Sequence, residues 1–127
     1  MSDAGNVGVV VAFNEAINSR NVAALAELMT ESHRFVDATL ATTVGKDACL
    51  AAWRGFFASF PDYRNVFDEV VDVGDGVVIA HGHSVCSLAA LDGPAQWRAV
   101  VLDDKVDVWQ VSEPSAGPSG NGNMADG

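Results

Sequence analysis

The residues best suited to chemistry are one aspartate and a pair of histidines. Asp37 lies in RFVDATL, behind Phe35 and Val36 and ahead of Leu40. In an apolar place its charged form is disfavoured, so its pKa rises and it becomes a usable base near neutral pH. At a strand end the same side chain can instead accept backbone N–H bonds, with an ordinary or lowered pKa. His81 and His83 stand two apart in VIAHGHSV. A regular strand points both to one face, shared with Val77, Ile79 and Val85. Turned inward, either can act as an acid or donate a hydrogen bond to a substrate carbonyl. Gly82 between them can mark a bulge that splits their directions. Two histidines begin a metal site, but no third ligand stands at a suitable spacing, and Cys49 and Cys86 have neither CxxC nor CxxH spacing. No metal is expected, and both cysteines read as buried thiols. His33 reads as a solvated residue at a strand start, although a pleat would set it on one face with Phe35 and Asp37.

These residues need elements to hold them. Val10, Phe13 and Ile17 recur at helical spacing and predict a helix over about residues 5–18. Asn18-Ser19-Arg20-Asn21 breaks it, and Asn21 can cap a second helix carrying Val22, Leu25, Leu28 and Met29. That helix fades at Thr30-Glu31-Ser32. RFVDATLATTV then reads as a short extended segment. Gly45 opens a third helix with Leu50, Trp53, Phe57 and Phe60 on its apolar face, and Pro61 closes it. Beyond Pro61 the pattern turns to strands over residues 64–73, 77–91, 96–102 and 105–111. Gly74-Asp75-Gly76, Asp92-Gly93-Pro94 and Asp103-Asp104 supply the turns. Helices followed by an antiparallel meander imply an α+β fold, with three helices on one face of a curved sheet and a conical space between the layers.

The chain has 127 residues, so one domain is expected, over residues 5–111. Residues 112–127 are Gly, Ser, Pro and Asn with little to bury, and read as a disordered tail. The net charge of −10 disfavours nucleic acid and anionic membranes as partners. There is no apolar run of transmembrane length and no basic leader at the N-terminus, so a cytoplasmic setting is expected.

The order of elements resembles the nuclear-transport-factor-2-like superfamily of cone-shaped α+β barrels, and within it the SnoaL-like polyketide cyclases and, more distantly, the ketosteroid isomerases. The residues that carry the resemblance are VAFNEAINSRNVAALAELMTESHRFVD, the run GKDACLAAWRGFFASFPDYRNVFDEVVDVGDGVVIAHG, Trp97, and KVDVWQV at the end. It spans roughly residues 8–111. It implies an apolar pocket inside the cone. It also implies that Asp37, eight residues before Gly45, matches the aspartate that serves ketosteroid isomerases as general base. The oxyanion donors of those isomerases are not matched: Phe13 and Trp97-Arg98-Ala99 occupy the two regions. The acid that SnoaL-like cyclases carry on the final strand has Asp107, or by register Val108, in its place.

In a cone the core and the pocket wall are one surface, so Phe13, Phe35, Trp53, Phe57, Trp97 and Trp109 are candidate wall residues. Arg98 and Asp107 are candidate polar contacts. If Val106 and Val108 face the helices, however, Asp107 and Trp109 lie on the outer face, which would then form a homodimer contact. The expected function is a cofactor-independent enzyme of cyclase/isomerase type. Asp37 would remove a proton beside a carbonyl of an apolar substrate, and His81 or His83 would stabilise the enolate oxygen. The alternative is a cone that binds a hydrophobic ligand, or only dimerises, without chemistry.

Overall fold

The computed structural model describes residues 2–37, 39–88 and 92–112, with side chains from residue 5 onward. The tail expected from residue 112 therefore falls, after Ser112, outside the described residues. Helix α1 runs Ser2–Asn18. It ends where Arg20 takes a positive φ of 56°. The Asn21 side chain then accepts from the Ala24 N–H at 3.0 Å and starts α2, Val22–Glu27.

The first strand begins earlier than local pattern suggests. β1 is Met29–Val36, and its entry follows from a long-range partner. The final strand β6, Lys105–Ser112, runs parallel to it, with Met29 opposite Val106. The Val106 N–H is bonded to the Leu28 carbonyl at 2.6 Å. The single extended segment expected from residue 34 is a hairpin: β2, Thr42–Val44, folds back antiparallel on β1. Helix α3, Lys46–Ser59, has Gly45 (φ 101°) at its start and Phe60 as its C-cap, the boundaries its glycine and proline imply.

β3 (Arg64–Gly74), β4 (Val77–Val85) and β5 (Gly93–Leu102) precede β6 in a meander. β4 ends at Val85, short of the expected residue 91. Among the described residues the sheet has six strands in the order β2-β1-β6-β5-β4-β3, antiparallel except for β1 with β6. The architecture is thus the α+β cone, a curved and mostly antiparallel sheet with the helices on its inner face.

Between the layers the rings of α1, β3, β5 and β6 meet. Phe13 lies 4.6 Å from Trp109, and Phe67 lies 4.9 Å from Trp97. A second group, on α3 and β1, joins Trp53 to Phe57 at 5.4 Å and to Phe35 at 5.5 Å. Both cysteines are free and buried.

Candidate functional site

Asp37 sits in the hairpin turn that follows β1. Its backbone N–H bonds the Ala41 carbonyl at 3.0 Å, and its carbonyl accepts from Leu40, which has a positive φ of 70°. Its carboxylate bonds the same turn. Oδ1 accepts from the Thr39 hydroxyl at 2.6 Å, the Thr39 N–H at 2.8 Å and the Ala41 N–H at 3.2 Å. These bonds, the Thr39 hydroxyl foremost, hold its pKa below the ordinary carboxylate value. This corrects the expectation of an acid raised by an apolar surrounding. A short acid just past a strand end is ideally placed to satisfy the N–H groups of its own turn.

His81 and His83 do share a face, but it is the outer one. The inner face of β4 carries Val78, Ala80 and Ser84, all buried, while His81 is exposed and His83 half-buried beside Asp68, Nδ1 to Oδ2 3.9 Å. A bulge is present, but its extra residue is Asp68 on β3: Phe67 pairs with Gly82 and Glu69 with His81. On the other side β4 keeps an unbroken register with β5, so the two histidines are not split. Neither points into the cone, and neither meets Asp37.

Six wall candidates do face inward. Phe13, Trp53, Phe57, Trp97 and Trp109 are buried and Phe35 is half-buried. Trp109 resolves the question of parity on β6. Val101 pairs with Val106 but Val100 with Val108, so Asp107 is an extra residue, and both Val106 and Trp109 turn inward. Asp107 is instead partly exposed outside the core and bonds β1, where Oδ1 accepts from Thr30 Oγ1 at 2.7 Å and Ser32 Oγ at 2.8 Å. The Thr30 hydroxyl leads the causes that lower its pKa, followed after burial's opposing effect by Ser32, Arg34 and His33. Arg98 is exposed on the outer face, paired with Ile79 and Gln110. Asp107 and Arg98 are thus corrected from wall residues to residues outside the core, partly exposed and exposed respectively.

The most deeply buried of the polar residues Asn14, His33, Asn65 and Ser84 is His33, expected at the surface and found at 0 % exposure. Its Nδ1 lies 2.7 Å from the Val106 carbonyl. A carbonyl only accepts, so Nδ1 carries the proton and Nε2 is left as the acceptor. Nε2 is buried and finds no partner among the described residues. Burial lowers the pKa of the ring against the opposing pull of Val106 and Asp107, so His33 is neutral at pH 7. Phe13 packs on it at 5.6 Å. The Trp53 indole Nε1–H is a second buried group without a partner among the described residues. The signal for His33 was strand parity: Phe35 turns inward onto Trp53, and a residue two positions earlier shares its face.

Among the described residues no three His, Cys, Asp or Glu side chains gather as a metal site requires. No described helix is long and apolar enough to cross a membrane.

With the cone and its aromatic lining in place, the chain can be set beside known proteins. It belongs to the SnoaL-like domain family, whose profile matches residues 10–113. A candidate polyketide cyclase from Sinorhizobium meliloti superposes with a TM-score of 0.74 at 14% identity, covering 83% of this chain and 94% of that one. A candidate ketosteroid isomerase from Kribbella flavida gives 0.73 at 15% identity, with coverages of 95% and 86%. An LEH-like epoxide hydrolase from M. tuberculosis gives 0.77 at 10% identity, with 88% and 84%. No curated protein matches the sequence at a significant level. At these identities the structural likeness defines the fold, which is one shared by cyclase-, isomerase- and epoxide-hydrolase-type proteins.

Proposed function

We propose that the protein is a cofactor-independent small-molecule enzyme of cyclase/isomerase type, with His33 as the general base in place of Asp37. The observation that carries this reading is the buried imidazole with its tautomer fixed and its Nε2 lone pair free. Such a ring takes a proton from carbon beside a carbonyl; burial disfavours the resulting imidazolium, and the Val106 carbonyl and the nearby Asp107 charge offset part of that cost. The buried Trp53 N–H, unpartnered among the described residues, is a candidate donor to a substrate oxygen. The aromatic lining selects a flat, apolar, carbonyl-bearing substrate. The test is exchange of the protons beside the carbonyl in a panel of cyclic ketones in D2O, followed by NMR. The expected result is accelerated exchange that falls by about a hundredfold or more in His33→Gln. Exchange unaffected by His33→Gln would remove the base, and no exchange with any ketone would remove the activity.

A hydrophobic-ligand carrier without chemistry is the second reading. Its support is the apolar make-up of the cone interior, where Phe13, Trp97 and Trp109 are buried together. We also infer a homodimer through the outer sheet face, where Val77, Val100 and Val108 align across three strands next to the Ile79–Arg98 pair. Val71 and Leu102, 39% and 53% exposed, extend the apolar character of the sheet surface.

A further inference from the structure

We propose that Asp107 is the positioning residue of the interior base. By clasping Thr30 and Ser32 it holds the irregular segment of β1 that sets the His33 ring against the Val106 carbonyl; this rests on the reading of His33 as that base. The ground is a mismatch in length between β1 and β6. Met29 pairs with Val106 and Arg34 with Val108, so the four residues Thr30 to His33 stand opposite the single residue Asp107. Five extended steps of chain would span about 16 Å and two steps about 7 Å, so this part of β1 must bow away from the ladder. A bowed segment leaves regular ladder bonding behind, and other partners must give it one shape.

Side chains supply them. Asp107 Oδ1 accepts from Thr30 Oγ1 at 2.7 Å and from Ser32 Oγ at 2.8 Å. Two hydroxyls two residues apart thus converge on one oxygen and draw the start and middle of the bow onto β6. A carboxylate makes stronger hydrogen bonds than a neutral acceptor, which suits a clasp that is partly exposed. The next residue is His33. Its carbonyl accepts from the Gly45 N–H at 2.8 Å, and its Nδ1 donates to the Val106 carbonyl at 2.7 Å. The Val106 N–H meanwhile bonds the Leu28 carbonyl at 2.6 Å, ahead of the bow. Val106 therefore fixes the chain before the bow and the ring at its end, and the adjoining residue, Asp107, fixes what lies between. A ring is held in one orientation only when the groups behind it are themselves held. With Ser32 released, the backbone next to His33 shifts and the Nδ1–H bond loses its alignment. The ring can then carry its proton on either nitrogen. Asp107 stands outside the core, so it acts through this segment and through its charge on the ring, and not on a substrate.

The test reads the His33 tautomer in the full chain, without substrate, from the 15N signals of the ring at pH 7.5. The native chain should show Nδ1 protonated and Nε2 bare. Asp107→Ala should add a second set of signals, of comparable intensity, with the proton on Nε2. Asp107→Asn keeps an oxygen for both hydroxyls and should restore the native set. Thr30→Val combined with Ser32→Ala removes the same two bonds from the other side and should reproduce the Asp107→Ala spectrum, so the test does not depend on one variant folding. A role in stability alone would lower the urea midpoint and leave the tautomer as it was. The proposal is overturned by any of three results: a native ring protonated on Nε2, a native tautomer that survives in Asp107→Ala or in the double variant, or a tautomer lost in Asp107→Asn as fully as in Asp107→Ala. No ketone takes part, so the clasp and the base fail separately. A chain that exchanges no ketone protons sinks the base, while a tautomer that follows Asp107 still upholds the clasp.

Discussion

Acidification through the histidine range should destabilise the fold through His33 in particular. The ring is fully buried and its pKa is lowered from 6.5, with burial the largest cause. The unfolded chain therefore binds a proton in a window where the folded chain does not, and stability rises with pH across that window. The contribution is fully present above about pH 6.5. It is lost as pH falls from there towards the folded value, below which it is constant. The ceiling follows from one proton: a slope of at most ~1.4 kcal/mol per pH unit, or about 1 kcal/mol integrated between pH 6.5 and 5.5 if the folded ring stays neutral throughout. His33→Leu isolates the effect, because that variant deletes only the buried ring. Urea unfolding at pH 7.5, 6.5, 5.5 and 5.0 measures the effect. The expected outcome is a midpoint that falls with pH in the native chain and a flatter profile in His33→Leu. A native profile that is flat from 7.5 to 5.0, or an identical slope in the variant, would refute the buried neutral imidazole and the proposed base with it.

Asp37 should titrate below 3.8 by carbon-detected NMR, because the Thr39 hydroxyl and the turn's N–H groups hold its charged form. Its stabilising effect is present above that value and lost as pH falls through the folded pKa, and Asp37→Asn should leave any ketone exchange unchanged. Gly82→Ala should lower the melting temperature and destabilise by about 2 kcal/mol or more, since an added Cβ would lie 1.9 Å from the Val66 carbonyl oxygen and force β3 and β4 apart. Trp109→Ala, which empties the contact with Phe13 and Phe67, should cost about 3–5 kcal/mol in urea unfolding. Val100→Glu should shift the sedimenting species from dimer to monomer without loss of helical signal, and an unchanged sedimentation coefficient would remove the outer face as the dimer contact.

Which parts were legible depends on where the determining interaction lies. α3 could be placed from its own residues, because Gly45 and Pro61 act on the backbone beside them. The entry of β1 could not: MTESH has little intrinsic strand character, and Met29 becomes extended only because Val106 pairs with it from the far end of the chain. The same distance effect governs the site. In VDVW alternation alone sets Val106 and Val108 on one face, and a single extra residue, Asp107, opposite β5 reverses that for Trp109. Asp37 was misplaced for a nearer reason. RFVDATLATTV reads as one β-rich run, yet Asp37 and Thr39 carry the side chains that close a turn upon themselves, and the hairpin forms there. Parity is a one-bit quantity, preserved along an unbroken strand and lost at each bulge. On β1 it holds between Phe35 and His33, both turned inward, although the register with β6 is regular only from Arg34 to Val36 and shifts between Met29 and Arg34. A polar residue two places from an inward aromatic and within the same strand is the place to look for interior chemistry. His33 lies within β1 and meets that condition, whereas Asp37, one residue past the end of β1, does not.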